Sequence, residues 1–474
     1  MICPVPVQWR FLLKMALRLS MMIAIIGCNR SGEGTARNPL PLPLIELVWS
    51  TTGEASSFSR FGSAVATGDV NHDRFPDLLV AASAFNTGRA NAGKVYLYLG
   101  TASGLSDRPV WSDSGENVEG AYFGSSLALV DLNGDGFDDA VIAAPNHRKG
   151  ESGAFIGRVY IYPGGPAGLG SQPIWVSSGE EQVGAFFGAS IADAGDVNGD
   201  RFHDLLVGAS GYQEKERAVG KAYLYLGGPN GPSPSAIWTS MGDRAPGSGY
   251  GFKIAGAGDI NRDGYADVLI AAPRLTGKVF LYSGSAGGLS EAPSWTSSGD
   301  RQGGAAFGLT LAPLDANGDR LIDLAVGAYF QDTPGHTDAG KAFFFPGSRS
   351  GFSKNPSSTS SGDDLIDAKY GTSVTTLGDI NQDGYDDLLI GSKQKENGRV
   401  QSGKVFLYLG GPKGLTVTPA WTSSGENRER ALFGDTAALL VSKRFTGFLV
   451  GAPTYSISEG QEEVGKVYLY RIGS

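Results

Sequence analysis

The sequence predicts an all-β protein, a seven-bladed β-propeller of four-stranded blades whose last blade is closed by the N-terminal strand. Three observations carry this prediction. An aromatic-glycine pair recurs seven times, at Phe61-Gly62, Phe123-Gly124, Phe187-Gly188, Tyr250-Gly251, Phe307-Gly308, Tyr370-Gly371 and Phe433-Gly434, with glycine spacings of 62, 64, 63, 57, 63 and 63. Trp49, Trp111, Trp175, Trp238, Trp295 and Trp421 each stand 13 residues before their glycine, with Ser358 in that place in the sixth copy. Each unit also holds about four short apolar or alternating runs, and radial repetition of four-stranded sheets is how a propeller limits exposed strand edges.

Composition agrees with one repeated unit. Of 474 residues 71 are glycine, 41% are apolar and 18% charged, which excludes a disordered acidic chain and a coiled coil. The glycines follow no three-residue period, so collagen is excluded too. A formal charge of −9 argues against nucleic acid, whose phosphates require a basic face.

From the N-terminus, Arg10, Lys14 and Arg18 precede the apolar run Met21 to Ile26, which ends in Gly27-Cys28. The run is too short to span a bilayer, for which about 20 apolar residues are needed, and reads as a leader over residues 1–27. Ile25-Ile26-Gly27-Cys28 resembles the bacterial lipobox, which implies a lipid on Cys28 and anchoring in a bacterial envelope, with Asn29 favouring the outer membrane or cell surface. Cys3 and Cys28 are the only cysteines, so no disulfide framework is expected. Residues 28–43, with Ser31, Gly32, Gly34, Pro39, Pro41 and Pro43, read as a flexible tether.

Residues 44–474 form the propeller. A typical unit reads as a small-apolar strand after the aromatic-glycine pair, an acidic loop, a second strand such as Asp204 to Ala209, a variable loop, a third strand such as Gly93 to Leu99, and a last strand ending at the Trp. The seventh copy stops after its third strand, Lys466 to Tyr470, whereas residues 44–50 supply a Trp strand with no blade before it. The N-terminal strand is therefore expected to complete the seventh blade.

The chemistry lies in Asp-x-Asn-x-Asp-x-x-x-Asp between the first two strands of six copies. The residues are Asp69, Asn71, Asp73 and Asp77; Asp131, Asn133, Asp135 and Asp139; Asp196, Asn198, Asp200 and Asp204; Asp259, Asn261, Asp263 and Asp267; Asp315, Asn317, Asp319 and Asp323; and Asp379, Asn381, Asp383 and Asp387. Three carboxylates and an amide oxygen within nine residues repel one another unless a cation sits among them. Oxygen-only donors suit a hard ion, and with a backbone carbonyl and a water the count suits Ca²⁺, up to six ions, with position 9 as the expected bidentate ligand. Position 12 is Val80, Ile142, Val207, Ile270, Val326 or Ile390, inside a strand, so this is no EF-hand. The seventh copy has Val441 to Thr446 there and is expected to bind no metal.

Together the Phe-Gly pairs, the acidic loops and the strand ends Ala144-Pro145, Ala272-Pro273 and Ala452-Pro453 resemble FG-GAP repeats, those of the integrin α-subunit propeller. The resemblance covers residues 44–474 and implies Ca²⁺-bearing hairpins, closure of the last blade by the N-terminal strand, and extracellular adhesion or recognition.

No catalytic constellation stands out, and the chain reads as no enzyme. Gly88 to Lys94, Gly335 to Lys341, Gly398 to Lys404 and Gly460 to Lys466 approach a P-loop, but each lacks the Ser/Thr and precedes a strand rather than a helix. His72, His147, His203 and His336 form no metal-ligand spacing. Tryptophans at a fixed offset read as packing between blades rather than as sugar platforms. The acidic loops share one face, and the variable loops of the other, carrying Arg148, Tyr212, Tyr329 and Phe330, are the candidate surface for a protein or glycan ligand. The alternatives kept are a lectin-like propeller and an envelope hydrolase or lyase with its site on a propeller face.

Overall fold

The computed structural model describes residues 44–150, 153–275, 277–394, 400–442, 445–458 and 460–473. The expected leader, tether and Cys28 lie outside them. Among the described residues there is no helix, and therefore none long and apolar enough to cross a membrane.

The described chain forms seven four-stranded antiparallel sheets. The first is built from Phe61–Gly68, Asp77–Ala82, Lys94–Tyr98 and Trp111–Asp113, paired in that order. In the first six blades the second strand is a short apolar run such as Leu78-Leu79-Val80-Ala81-Ala82 and is buried along its whole length. A sheet covered on both faces needs no hydrophobic-polar alternation, because each blade packs against a neighbour on either side. The cores show this directly. Leu79 and Leu97 of the first blade cluster with Ala140, Ile142 and Tyr160 of the second, while Leu78 and Tyr96 cluster with Leu449 and Leu469 of the seventh.

The seventh sheet is assembled from both ends of the described chain. Thr436–Val441, Thr446–Ala452 and Lys466–Ile472 come from its C-terminal part, and Ile45–Thr51 pairs antiparallel with the last of these, from Ile45 opposite Ile472 to Thr51 opposite Val467. The expected closing strand is present.

One strand boundary differs from expectation. The fourth strands begin at the Trp rather than end there, as in Trp111–Asp113 and Trp175–Ser177. Pro109 and Pro173 stand two residues earlier, and proline has no N–H to give the ladder.

The aromatic-glycine pair is the joint between blades. The Phe123 ring packs edge-on to Tyr160 of its own blade, at 5.4 Å between centroids. A side chain on Gly124 (φ +92°) would run into Val95 and Ala81 of the preceding blade. Gly93, the glycine before the third strand, lies against the Phe123 backbone, where a Cβ would collide with its amide and carbonyl. Parallel bridges such as Gly157 to Phe187 and Gly465 to Phe61 repeat this joint around the ring. The second glycine of each P-loop-like segment, Gly93, Gly340, Gly403 or Gly465, is such a joint glycine, so its chemistry is close packing of backbones.

The tryptophans also sit between blades. Trp49 meets Tyr98, Trp111 meets Tyr162, Trp175 meets Tyr225, Trp238 meets Tyr282, Trp295 meets Phe345 and Trp421 meets Tyr470, all edge-to-face at 5.1–5.5 Å. In each pair the second ring belongs to the next blade.

Candidate functional site

Each acidic loop is a nest of Asx turns. In the first, Asp69 Oδ1 accepts the amide of Asp73 (3.0 Å) and Oδ2 that of Arg74 (2.8 Å), while Asn71 Oδ1 and Asp73 Oδ1 accept the amides of Asp73 (3.1 Å) and Phe75 (2.8 Å). The third loop repeats this with Asp196, Asn198 and Asp200. Short side chains that accept from amides two to five residues on explain why Asp and Asn recur here. The backbone they hold is strained, because His72 and Arg74 in the first loop and Arg201 in the third have positive φ (57°, 71° and 75°) without being glycine.

Position 9 has a separate place. Asp77, Asp139, Asp204, Asp267 and Asp387 are at most 1% exposed and Asp323 is 8% exposed, each opening its second strand. One oxygen accepts the amide of the glycine in the turn after the third strand: Gly100 to Asp77 (2.7 Å), Gly164 to Asp139 (3.0 Å), Gly227 to Asp204 (2.9 Å), Gly284 to Asp267 (2.9 Å), Gly347 to Asp323 (2.7 Å) and Gly410 to Asp387 (2.8 Å). In five copies the other oxygen accepts the amide of position 2, as Val70 to Asp77 (2.9 Å) and Val197 to Asp204 (2.9 Å). Position 9 thus pins the acidic loop to the adjoining turn. Burial pushes Asp77, Asp139, Asp204 and Asp387 up to about 7 and Asp267 and Asp323 to about 6, and the carboxylates at positions 1 and 5 push the same way, whereas the backbone hydrogen bonds oppose the rise.

The donors fit a hard cation by chemistry, since each loop offers only oxygens and a carboxylate oxygen that accepts one N–H keeps a further lone pair. As placed, those oxygens turn to the loop's own amides. Among the described residues no group of three or more His, Cys, Asp or Glu side chains is arranged to hold a metal ion.

Two acidic residues that the repeat pattern did not single out join neighbouring loops. Asp138 Oδ2 accepts the Asp69 amide (2.7 Å) and Asp386 Oδ2 accepts the Asp315 amide (2.8 Å). The signal was a second Asp directly before position 9. His72 also bridges loops, with Nδ1 2.6 Å from the Gly136 carbonyl, and His203 pairs with Asp193 (2.8 Å).

The face with the variable loops holds the other candidates apart from one another. Arg148 lies over the Phe155 ring (4.4 Å) beside a cavity of about 490 Å³ lined also by Arg89, Glu116 and Glu181. The Tyr329 and Phe330 rings lie against each other, tilted by 30° with centroids 4.0 Å apart. These loops follow the second strands of the second, third and fifth blades, and no described contact brings Arg148, Tyr212 and the Tyr329-Phe330 pair together. His147, beside Arg148, is buried, and desolvation together with Arg158 lowers it to about 4 against the pull of Glu116.

Tyr212 is tied into a structural device. Its hydroxyl donates to Glu180 (2.8 Å), which also pairs with Lys221 of the next blade. The same acid-base clasp closes every boundary in the ring: Glu54–Lys94, Glu116–Arg158, Glu180–Lys221, Asp243–Lys278, Asp300–Lys341, Asp363–Lys404 and Glu426–Lys466. The acid comes shortly after each fourth strand and the base opens the next third strand. The lysines of the P-loop-like segments Gly88 to Lys94, Gly335 to Lys341, Gly398 to Lys404 and Gly460 to Lys466 belong to these clasps.

Comparison with known proteins places these features. The FG-GAP repeat family matches residues 61–98, 123–162, 187–225 and 370–408, and the FG-GAP-like repeat family matches 259–326. Integrin alpha-5 of Xenopus laevis is 33% identical over 230 residues, covering 47% of this chain and 21% of that protein. Integrin alpha-IIb of Homo sapiens is 40% identical over 163 residues, covering 31% and 15%. The chain therefore spans about a fifth or less of the length of these relatives. Among solved structures, BBS1N in complex with ARL6DN, from a crystal soaked with lead, aligns at a TM-score of 0.51 with 12% identity, over 91% of this chain and 98% of that one, a likeness of fold alone. The chain carries FG-GAP repeats and is homologous to the N-terminal propeller of integrin α subunits.

Proposed function

We propose that the protein is a calcium-binding recognition or adhesion module without catalytic activity, held to a bacterial envelope by a lipid on Cys28 and binding a protein ligand on the face opposite the acidic loops. The observation that carries the reading is the division of the ring into a nearly uniform acidic face and a variable one, in a chain homologous to proteins named as integrin α subunits. In each of the first six blades, positions 1, 3, 5 and 9 would hold the ion, from Asp69, Asn71, Asp73 and Asp77 to Asp379, Asn381, Asp383 and Asp387. The ion would neutralise the clustered carboxylates and stiffen a strained loop. The edge-to-face Trp contacts remove the support for sugar stacking on those rings.

The test is a pull-down from envelope extract, with and without chelator, using the unaltered chain and a variant with Arg148, Tyr329 and Phe330 replaced by Ala. Tyr212→Phe is tested separately, because Tyr212 also serves the clasp. Loss of the partner in the triple variant at an unchanged melting temperature supports the reading. Retention there, with loss on substitution of the acidic-loop face, reverses the assignment of faces.

A further inference from the structure

We propose that the boundary between the fifth and sixth blades is a binding pocket for an indole-sized aromatic group, because Ser358 leaves open the place that tryptophan fills at the other six boundaries. Three of those tryptophans donate Nε1–H to a carbonyl of the next blade: Trp111 to Gly170 (3.0 Å), Trp238 to Ser290 (3.1 Å) and Trp295 to Ser353 (3.1 Å). By repeat alignment the corresponding carbonyl is that of Thr416.

The surroundings have not closed over the gap. A cavity of about 380 Å³ lies here, with Leu314, Leu324, Phe344, Phe345, Ser358 and Leu415 in its walls. That volume is within the range of small-ligand sites, roughly 300–1,000 Å³. Ser358 stands opposite Phe344 in the ladder, where other blades set their Trp opposite Leu97, Ile161, Leu224, Leu281 or Leu407. Phe344 returns part of the missing volume but remains half-buried, whereas those five are at most 1% exposed. Leu415 is also half-buried, while its counterparts Leu105, Leu169, Leu289 and Phe352 are buried. Tyr408, the ring that a Trp at 358 would meet, is buried and accepts from the Tyr370 hydroxyl (2.9 Å) but has no ring packed edge-on against it among the described residues, and next along the chain from Thr416, Val417 is 94% exposed.

The other six boundaries therefore define what this one lacks: a flat ring that in five of them meets a tyrosine edge-on and in three donates an N–H to a carbonyl. The ligand is an indole or phenol group, either a free aromatic molecule or a side chain of a partner. The pocket is on the acidic-loop side, as Asn317 and Asp319 in its wall show, and is separate from the face proposed above.

The test is saturation-transfer NMR with N-acetyl-L-tryptophanamide, and with a five-residue peptide carrying one central Trp, on the full folded chain. The amide is expected to bind with millimolar affinity. Two variants are compared: Ser358→Trp with Phe344→Leu, which restores the pair found at other boundaries, and Leu415→Gln, which alters a wall without filling the space. Both are expected to weaken binding at least about tenfold, and the filled variant to melt higher than the parent. Equal binding of peptide and amide identifies a partner side chain as the source, and binding of the amide alone identifies a free small molecule. No transfer from the unaltered chain, or unchanged binding in either variant, overturns the proposal. The Arg148, Tyr329 and Phe330 variant is expected to bind the probe normally, which separates this test from that of the opposite face.

Discussion

The third and seventh blades have the same strand order and are closed by different means. In the third, Phe187–Gly195, Asp204–Ala209, Lys221–Tyr225 and Trp238–Ser240 follow one another, and the first hairpin turns through an acidic loop pinned by Asp204 to Gly227. In the seventh, the fourth strand arrives from the N-terminal side, and the first hairpin turns through a short segment in which the Ser442 amide donates to the Phe445 carbonyl (2.7 Å). Phe445, 7% exposed, plugs that hairpin into the core shared with the first blade. A blade of this ring can therefore turn its first hairpin with an apolar plug and no carboxylates. Six copies of a strained, self-repelling loop are not required for the turn itself, which supports the proposal that they serve a cation.

The largest expected effect breaks the seventh blade alone. Deleting residues 44–50 removes the pairing from Ile45 opposite Ile472 onward and the Trp49–Tyr98 contact, and exposes the edge of Lys466–Ile472. The loss of Trp49 by itself is expected to cost about 3–5 kcal/mol, and the open edge is an association hazard. Aggregation or loss of the native monomer is expected in size-exclusion chromatography and thermal melts; a monomeric deletion melting like the parent would show that closure lies elsewhere.

On the proposed calcium reading, chelation is expected to affect the other six blades and to leave the seventh alone. A free ion 100-fold above its Kd contributes about 2.7 kcal/mol per site, so stripping calcium is expected to lower the melting temperature markedly. Hydrogen exchange sharpens the contrast. Amides of the loops 69–77 and 196–204 are expected to lose protection on chelation while Thr446–Ala452 keeps its own. Equal loss in all seven hairpins, or no calcium by elemental analysis, removes the metal from the account.

Single substitutions compare the two turns directly. Asp204→Ala strips the buried amide of Val197 and the part-buried amide of Gly227 of their acceptor, and is expected to cost about 2–4 kcal/mol with or without calcium. Ser442→Ala removes the Phe445 amide bond to Ser442 Oγ (3.1 Å), for which about 0.5–1.5 kcal/mol is expected. Comparable losses in denaturant melts would mean that position 9 carries no more of its blade than a serine turn does.

What the sequence revealed followed its period. Blade number, the closing strand, the inter-blade Trp and the odd seventh loop were legible because each recurs, or fails to recur, at a fixed offset. Position 9 was legible as a carboxylate, but its burial and its bond to the turn after the third strand were not, since Asp204 and Gly227 meet only once the sheet forms. The start of the fourth strands at the Trp was missed although Pro109 and Pro173 marked it. The clasp was missed for a different reason: Glu54 and Lys94 lie in different blades, 40 residues apart, and meet only once the ring forms. Ser358 was visible as an exception, while the cavity beside it depended on how far Phe344 and Leu415 failed to fill the gap.

The smallest expected effect concerns that clasp, which the third and seventh blades share. Lys221 has a side chain 10% exposed and Lys94 20%, while their partners Glu180 and Glu54 are about half exposed, so solvent screens both pairs. Each base also lies over rings, Lys221 over Tyr212 (4.6 Å) and Tyr223 (5.2 Å) and Lys94 over Phe85 (5.3 Å) and Tyr96 (5.1 Å), contacts that survive removal of the acid. A double-mutant cycle of Glu180→Gln with Lys221→Met is expected to give a coupling of about 0.2–1 kcal/mol, falling with salt. The Glu54→Gln with Lys94→Met cycle joins the non-contiguous blade to the first one. If the clasp holds a ring that strand pairing has already closed, its coupling should match that of the third blade. A coupling several times larger at Glu54–Lys94 would show instead that the N-terminal strand depends on this ion pair to stay docked, and the two blades would then differ in energetics as well as in connectivity.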